Sequence, residues 1–165
     1  MNKKIKERLN IKKGVGLVEV LVAVFIFTII LSSLILISNM YLSGAGDNLK
    51  LTQAAYLAEE GVEAVKVIRD NNWTNISDIN LGQSYYLYFS TASSTWQATT
   101  TVIYVDDFIR SFVLEEVKRN ADGDISDFGD TDLKTKKLIV FVSWFGKTGE
   151  TTKSLKTYIT DIVGE

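Results

Sequence analysis

Two groups of residues in this sequence have types and spacings that bear on chemistry. The first centres on Glu19, a lone carboxylate in the apolar stretch that opens with Gly14-Val15-Gly16-Leu17-Val18 and runs on from Val20 to Ile37, where only Thr28, Ser32 and Ser33 interrupt it. A charge deep in a membrane-length segment costs about 2.5–3.5 kcal/mol on insertion scales and usually marks function. Glu19 lies only one turn inside, where snorkelling to the interface offers a cheaper explanation. The second group is Asn120, Asp122, Asp124, Asp127, Asp130 and Asp132, alternating oxygen donors of the kind a hard Ca²⁺ ion takes. Asp122, Asp124 and Asp127 are its candidate ligands. The EF-hand pattern fails, because Ile125 stands where Gly makes the sharp turn and Thr131 where the bidentate Glu belongs. A solvated hairpin loop is the expected reading of this group.

Catalysis has no candidate. The chain of 165 residues contains no His and no Cys, so the usual general base, the thiolate nucleophile and the commonest metal ligand are missing. Glu115–Glu116 and Asp106–Asp107 are sequence neighbours that would face opposite ways in a strand, poor geometry for shared acid–base work. No phosphate-binding loop is present, and neither a cofactor nor a disulfide is expected. Nor does any basic patch interleaved with aromatics follow residue 14, so nucleic-acid binding gains little support. Asn72-Trp73-Thr74 and Asn75-Ile76-Ser77 match the glycosylation acceptor, and Asp70 two places before Asn72 suits some bacterial systems. Such tripeptides also read as a polar loop ending a helix.

The elements that must position these residues begin with the leader. Lys3, Lys4, Lys6, Arg8, Lys12 and Lys13 are opposed only by Glu7, although the whole chain has a net charge of −2. As a helix, Val15 to Ile37 would span about 34 Å, enough to cross a bilayer. The basic leader should hold the N-terminus in the cytoplasm. A plain signal anchor explains length and orientation but leaves Glu19 without a role. A cleaved secretory signal could use Ser43-Gly44-Ala45, yet its apolar core would exceed the usual length of about 7–15 residues.

Lys12-Lys13-Gly14 followed by an apolar stretch with Glu19 at the fifth place after the Gly resembles the class III signal of type IV pilins and pseudopilins. The resemblance implies that a prepilin peptidase cuts after Gly14 and methylates the new amine of Val15, a position usually held by Phe or Met. It also implies that the helix remains attached. The mature amine would be a cation in apolar surroundings with no partner in its own chain. Glu19 could pair with that amine on a neighbouring subunit and so favour one axial register, since an unpaired buried charge is costly. An assembly ATPase and a membrane platform protein would supply the force indirectly.

Helical patterning resumes beyond Gly44 and Gly46. Leu51, Ala54, Ala55, Ala58, Val62, Val65 and Ile68 recur at three- and four-residue steps, with Glu59, Glu60, Glu63 and Lys66 mostly opposite. Asn71-Asn72 reads as the helix end. The segment Tyr56 to Asp70, with its Ala58-Glu59-Glu60-Gly61-Val62-Glu63 core, resembles a helix of minor pilins and related pseudopilins. From Trp73 the texture is β: Tyr85 to Phe89, Thr99 to Val105, Phe108 to Val117, Leu138 to Phe145 and Thr152 to Ile162, with Gly146-Lys147-Thr148-Gly149 as a hairpin turn. Tyr85, Tyr86, Tyr88 and Trp96 suit core packing better than ligand contact. Phe108 to Arg119 and Thr135 to Trp144 resemble β-blocks of the same pilin domains.

The expected fold class is α+β, a long N-terminal helix packed on a C-terminal antiparallel sheet. Its parts are a cleaved leader (1–14), a transmembrane or filament-core helix (15–40), an amphipathic helix (41–72) and a β-domain (73–165). The expected function is a minor-pilin- or pseudopilin-like structural subunit, not an enzyme. It would be made as a single-pass inner-membrane protein with its N-terminus inside, then join other pilin subunits in an extracellular or periplasmic filament. The missing Cys pair, and Leu36 where major pilins often carry Pro, set it apart from the disulfide-closed major pilins. Adhesion, motility, secretion and DNA uptake all remain open as uses of the filament. The competing class is a single-pass anchored protein that binds ligand through its β-domain and never polymerises.

Overall fold

The computed structural model describes residues 3–146 and 149–162, with side chains from Gly16 onward. One long helix, α1 (Lys3–Asn71), is followed by a single turn of helix, α2 (Thr74–Ser77). Seven strands come next: β1 (Tyr85–Ser90), β2 (Thr95–Thr99), β3 (Tyr104–Val105), β4 (Phe108–Arg119), β5 (Ile125–Ser126), β6 (Asp130–Gly146) and β7 (Gly149–Thr160). The fold is α+β, with every strand pair antiparallel. Two compact units divide the chain, Met1–Asp47 and Asn48–Glu165, and α1 contributes to both.

In the first unit α1 continues without a break through Gly44 and Gly46. With no Pro anywhere in the chain, nothing removes a backbone donor from its ladder. The second unit has its core between residues 54–68 of α1 and one face of the sheet. Ala54, Ala58, Val62, Val65 and Ile68 are buried, as their helical spacing predicts. Leu51 and Ala55 belong to the same stripe but stay exposed, lining an open groove of about 490 Å³ with Lys153 and Leu155 of β7.

The sheet runs β2-β1-β4-β6-β7, with the short β3 and β5 also pairing β4. Strict alternation puts Phe108, Arg110, Phe112 and Leu114 of β4 on the buried face, opposite Trp144, Val142, Val140 and Leu138 of β6. A register shift between Glu116 and Val117 then leaves residues 133–135 of β6 without a partner on β4, and Val117 is buried outside the core cluster. On the far side of this bulge the hairpin continues to Arg119 and Asp130.

One strand expected from the sequence is mostly absent. Of Thr99 to Val105, only Thr99 ends β2 and Tyr104-Val105 form β3, while residues 100–103 join no ladder. The physical reason is topological. The chain leaves the edge strand β2 and must pass β1 to reach β4, so its β-branched residues serve a crossing. Asp106 and Asp107 are correspondingly a tight turn, with Asp106 at φ 52°, where β3 reverses into β4. At the end of the sheet, Gly146 and Gly149 pair across the turn expected there, while Lys147 and Thr148 lie outside the described residues.

Candidate functional site

Gly14 and Val15 fall on α1 just before the residues whose side chains are described. Glu19 is exposed, and its carboxylate has no hydrogen-bond or ion-pair partner among the described residues. Every large apolar side chain from Leu17 to Leu42 is exposed as well, Phe25, Leu36 and Met40 among them. Burial of such side chains is worth roughly 1.5–3 kcal/mol each, so this face and its reverse both require a nonpolar environment from elsewhere. The hydroxyls within the run are already satisfied. Thr28 donates to the Phe25 carbonyl (2.7 Å), Ser32 to that of Thr28 (2.8 Å) and Ser33 to that of Ile29 (2.9 Å). Back-bonding of this kind lets a hydroxyl enter a lipid or protein interior without an orphaned donor. Glu19 is the one carboxylate among the apolar residues of that run.

The second unit holds its helix to the sheet through a polar contact inside the core. Arg110 of β4 is only 2% exposed, and its Nη1 donates to Glu60 Oε2 at 2.7 Å and to the Leu57 carbonyl at 3.5 Å. Its guanidinium carbon lies 5.0 Å from the centre of the Trp96 ring, a cation–π contact, while its Nε is buried without a partner. Gly61 makes room for this. A Cβ there would come within 2.8 Å of Val140 Cγ1 and 3.1 Å of Arg110 Cδ. The Glu-Gly pair of α1 and the Arg of β4 are therefore one device: the glycine lets the helix approach, and the carboxylate neutralises the buried cation. Sequence reasoning singled out both segments but did not connect them. Adjacent Glu and Gly on a helix, with an Arg at an inward strand position, were the available signal.

The acidic loop is organised differently from a cation site. Asn120 Oδ1 accepts from the amides of Asp122 (3.1 Å) and Asp124 (2.9 Å), and Arg119 Nη1 donates to the Gly123 carbonyl (2.7 Å). Arg119 also pairs with Asp132 at 2.7 Å and, by that hydrogen bond first and a second from Thr135, holds its carboxyl below the usual carboxylate range. Asp122, Asp124 and Asp127 do not converge: among the described residues no group of three or more acidic side chains could hold a metal ion. Glu115 and Glu116 are each paired with a lysine, Lys137 (2.8 Å) and Lys118 (3.4 Å) respectively. Of the aromatics, Tyr85 stacks on Phe112 and Trp96 meets Phe89 edge to face.

Among the described residues a single helix, α1, is long and apolar enough to cross a membrane, by its stretch within Gly16–Asn71. A family model, described as the prokaryotic N-terminal methylation motif, matches residues 9–35. The chain carries that motif. It is the class III signal of type IV pilins. Gly14, Val15 and Glu19 all fall inside the matched segment. The motif implies processing by a prepilin peptidase and assembly with other pilin subunits, and its family consists of structural subunits. The apolar helix fits an inner-membrane-anchored protein. Comparison with curated proteins and with solved structures gives no match.

Proposed function

We propose that this chain is a minor-pilin- or pseudopilin-like subunit of a type IV pilus or of a filament resembling that of type II secretion. It is made as a single-pass inner-membrane protein with its basic leader in the cytoplasm, cut after Gly14 and N-methylated on Val15. It then leaves the bilayer as its helix joins those of other subunits. The observation that carries this reading is the conjunction of the methylation motif with a helix whose apolar side chains are exposed all round from Leu17 to Leu42. Lipid covers such a surface before assembly, and neighbouring helices cover it afterwards.

Within that packing Glu19 pairs with the N-terminal amine of an adjacent subunit. In a low-dielectric interior, one partner left alone costs roughly 3–5 kcal/mol, so only registers that bring amine and carboxylate together are accessible. The β-domain is the cargo the filament displays, and no cofactor takes part.

The mass of the mature N-terminus tests the processing. N-methyl-Val15 is expected; an intact Met1, or a start at Gly46 after a secretory cut, would overturn it. Glu19→Val tests the register role in the same cells: cleavage should persist while incorporation into sheared filaments falls. Filaments that take up the variant at the parental level would refute that role.

A further inference from the structure

Two acceptor tripeptides for N-linked sugar stand side by side at the end of α1, and the fold treats them differently. Asn72 is exposed between α1 and α2. Its Oδ1 accepts two hydrogen bonds from Thr74, one from the backbone N–H (2.8 Å) and one from the hydroxyl (2.7 Å). An N–H can donate only to the oxygen, so this contact fixes which end of the amide is which. Asn72 Nδ2 has no hydrogen bond among the described residues.

In Asn75-Ile76-Ser77 the same groups are spent elsewhere. Asn75 Nδ2 donates to the Ile68 carbonyl (3.4 Å) and the Ser77 hydroxyl to Asp78 Oδ1 (3.1 Å). The Ser77 N–H donates to the Trp73 carbonyl (2.9 Å), as the helical turn of α2 requires. Among the described residues no donor from Ser77 reaches Asn75, and one N–H of its amide nitrogen is engaged by the helix backbone.

We propose that Asn72 is the attachment site of an N-linked glycan and that Asn75 is not modified. The donor class is a saccharide linked to a polyprenyl diphosphate. In the transfer, a bond forms between Asn72 Nδ2 and the anomeric carbon of the sugar. The bond from that carbon to the diphosphate oxygen breaks, and its electron pair leaves with the polyprenyl diphosphate. One amide proton passes to a base of the transferase.

An amide nitrogen is a poor nucleophile because its lone pair is delocalised into the carbonyl. Two donors on Oδ1 draw still more charge from nitrogen, so their electronic effect is confined to making the departing N–H proton more acidic, and activation of the nitrogen is left to the transferase. The two donors also fix the amide plane, which limits the orientational search before attack. Trp73, the middle residue, is half-buried against the core and anchors the tripeptide in this conformation. Asp70, two places before Asn72, is exposed and pairs with Arg69 at 2.7 Å. It supplies the acid that some bacterial transferases require at that position.

The inference rests on the proposed topology only in placing residue 72 where lipid-linked saccharides are used. It is tested without that topology. The full chain in detergent micelles is incubated with a purified single-subunit oligosaccharyltransferase that accepts Asn-X-Ser/Thr with no acid required two places before Asn, since Trp73 holds that place for Asn75, and with a polyprenyl-diphosphate-linked N-acetylhexosamine oligosaccharide. The tryptic peptide from Asp70 to Arg110 is then sequenced by electron-transfer mass spectrometry. One glycan on Asn72 is expected. Asn72→Gln and Thr74→Ala should reduce it to background, while Asn75→Gln and Ser77→Ala leave it unchanged. A glycan on Asn75 at equal or greater occupancy would overturn the proposal. So would an unmodified chain under conditions that modify a free peptide of the sequence Asp70 to Thr74. In cells, an alkaline phosphatase fused to the C-terminus reports export separately, so a failure of the topology is read apart from a failure of the acceptor.

Discussion

Replacing Glu60 should destabilise the second unit more than replacing its partner Arg110, although Arg110 is by far the more buried of the two. The Arg110 guanidinium is 2% exposed, whereas the Glu60 side chain is 49% exposed. Glu60→Ala therefore strands a buried cation whose remaining support is the 3.5 Å bond to the Leu57 carbonyl and the face of Trp96. Breaking a buried pair by removing one partner costs roughly 3–5 kcal/mol. Solvent reaches the Glu60 side of this one, so about 2–3 kcal/mol is a fairer expectation. Arg110→Met keeps most of the volume, removes the unpartnered Nε and releases Glu60 to water. It forfeits the cation–π contact, worth about 0.5–2 kcal/mol, but also relieves the desolvation of a charge, so its net cost should stay within about 1 kcal/mol. The double variant should resemble Arg110→Met alone, leaving a coupling near 2 kcal/mol. Urea unfolding of the full chain in detergent, followed by tryptophan fluorescence, measures all four species, and Trp96 lies beside the change. An Arg110→Met variant at least as unstable as Glu60→Ala would refute the reasoning and make the guanidinium a net contributor in its own right.

Four further perturbations address the same unit or the helix that enters it. Gly61→Ala gains up to about 1 kcal/mol of helix propensity but forces a Cβ to 2.8 Å from the fully buried Val140, an overpacking cost of about 1–3 kcal/mol, so it should destabilise. Gly46→Ala, with no atom within 4 Å of its added Cβ, should raise helicity by circular dichroism and leave the unfolding midpoint no lower. Gly129 has φ 130°, and a Cβ there would lie 2.0 Å from the Arg119 carbonyl, so Gly129→Ala should open the β4–β6 hairpin, seen as lost amide protection from Lys118 to Asp132. Asp132 titrates below its unfolded value of 3.8, so its pairing with Arg119 stabilises fully above that value and is lost as pH falls through the lower folded one. Exchange of the hairpin amides should accordingly rise on acidification beyond the intrinsic rate, and Asp132→Asn should remove that dependence; an unchanged acid response would assign it to another group.

The sequence by itself determined the features that depend on neighbours in the chain. A 3.6-residue period marks Ala54, Ala58, Val62, Val65 and Ile68 as the buried stripe of a helix, and alternation marks Phe108, Phe112 and Leu114 as one face of a strand, because both periods are set by local backbone geometry. The leader, the apolar run and Glu19 are likewise contiguous, which is why a motif confined to residues 9–35 is legible without any fold. Tertiary structure decided what depends on residues far apart. Glu60 and Arg110 are fifty positions apart in the chain, and only the sheet's order and register place the guanidinium over the helix at Gly61. Residues 100–103 have the composition of a strand yet join none, since the path from β2 to β4 denies them a partner. Asn72 and Asn75 both match the acceptor pattern, with only Asn72 preceded by an acid at Asp70, and their hydrogen bonding differs because α1 ends at Asn71 and α2 begins at Thr74. Among the described residues that boundary leaves the amide nitrogen of Asn72 without a hydrogen bond and binds that of Asn75 to the Ile68 carbonyl. Hydrogen-bond partners are chosen by the folded path of the backbone, and local composition does not encode that path.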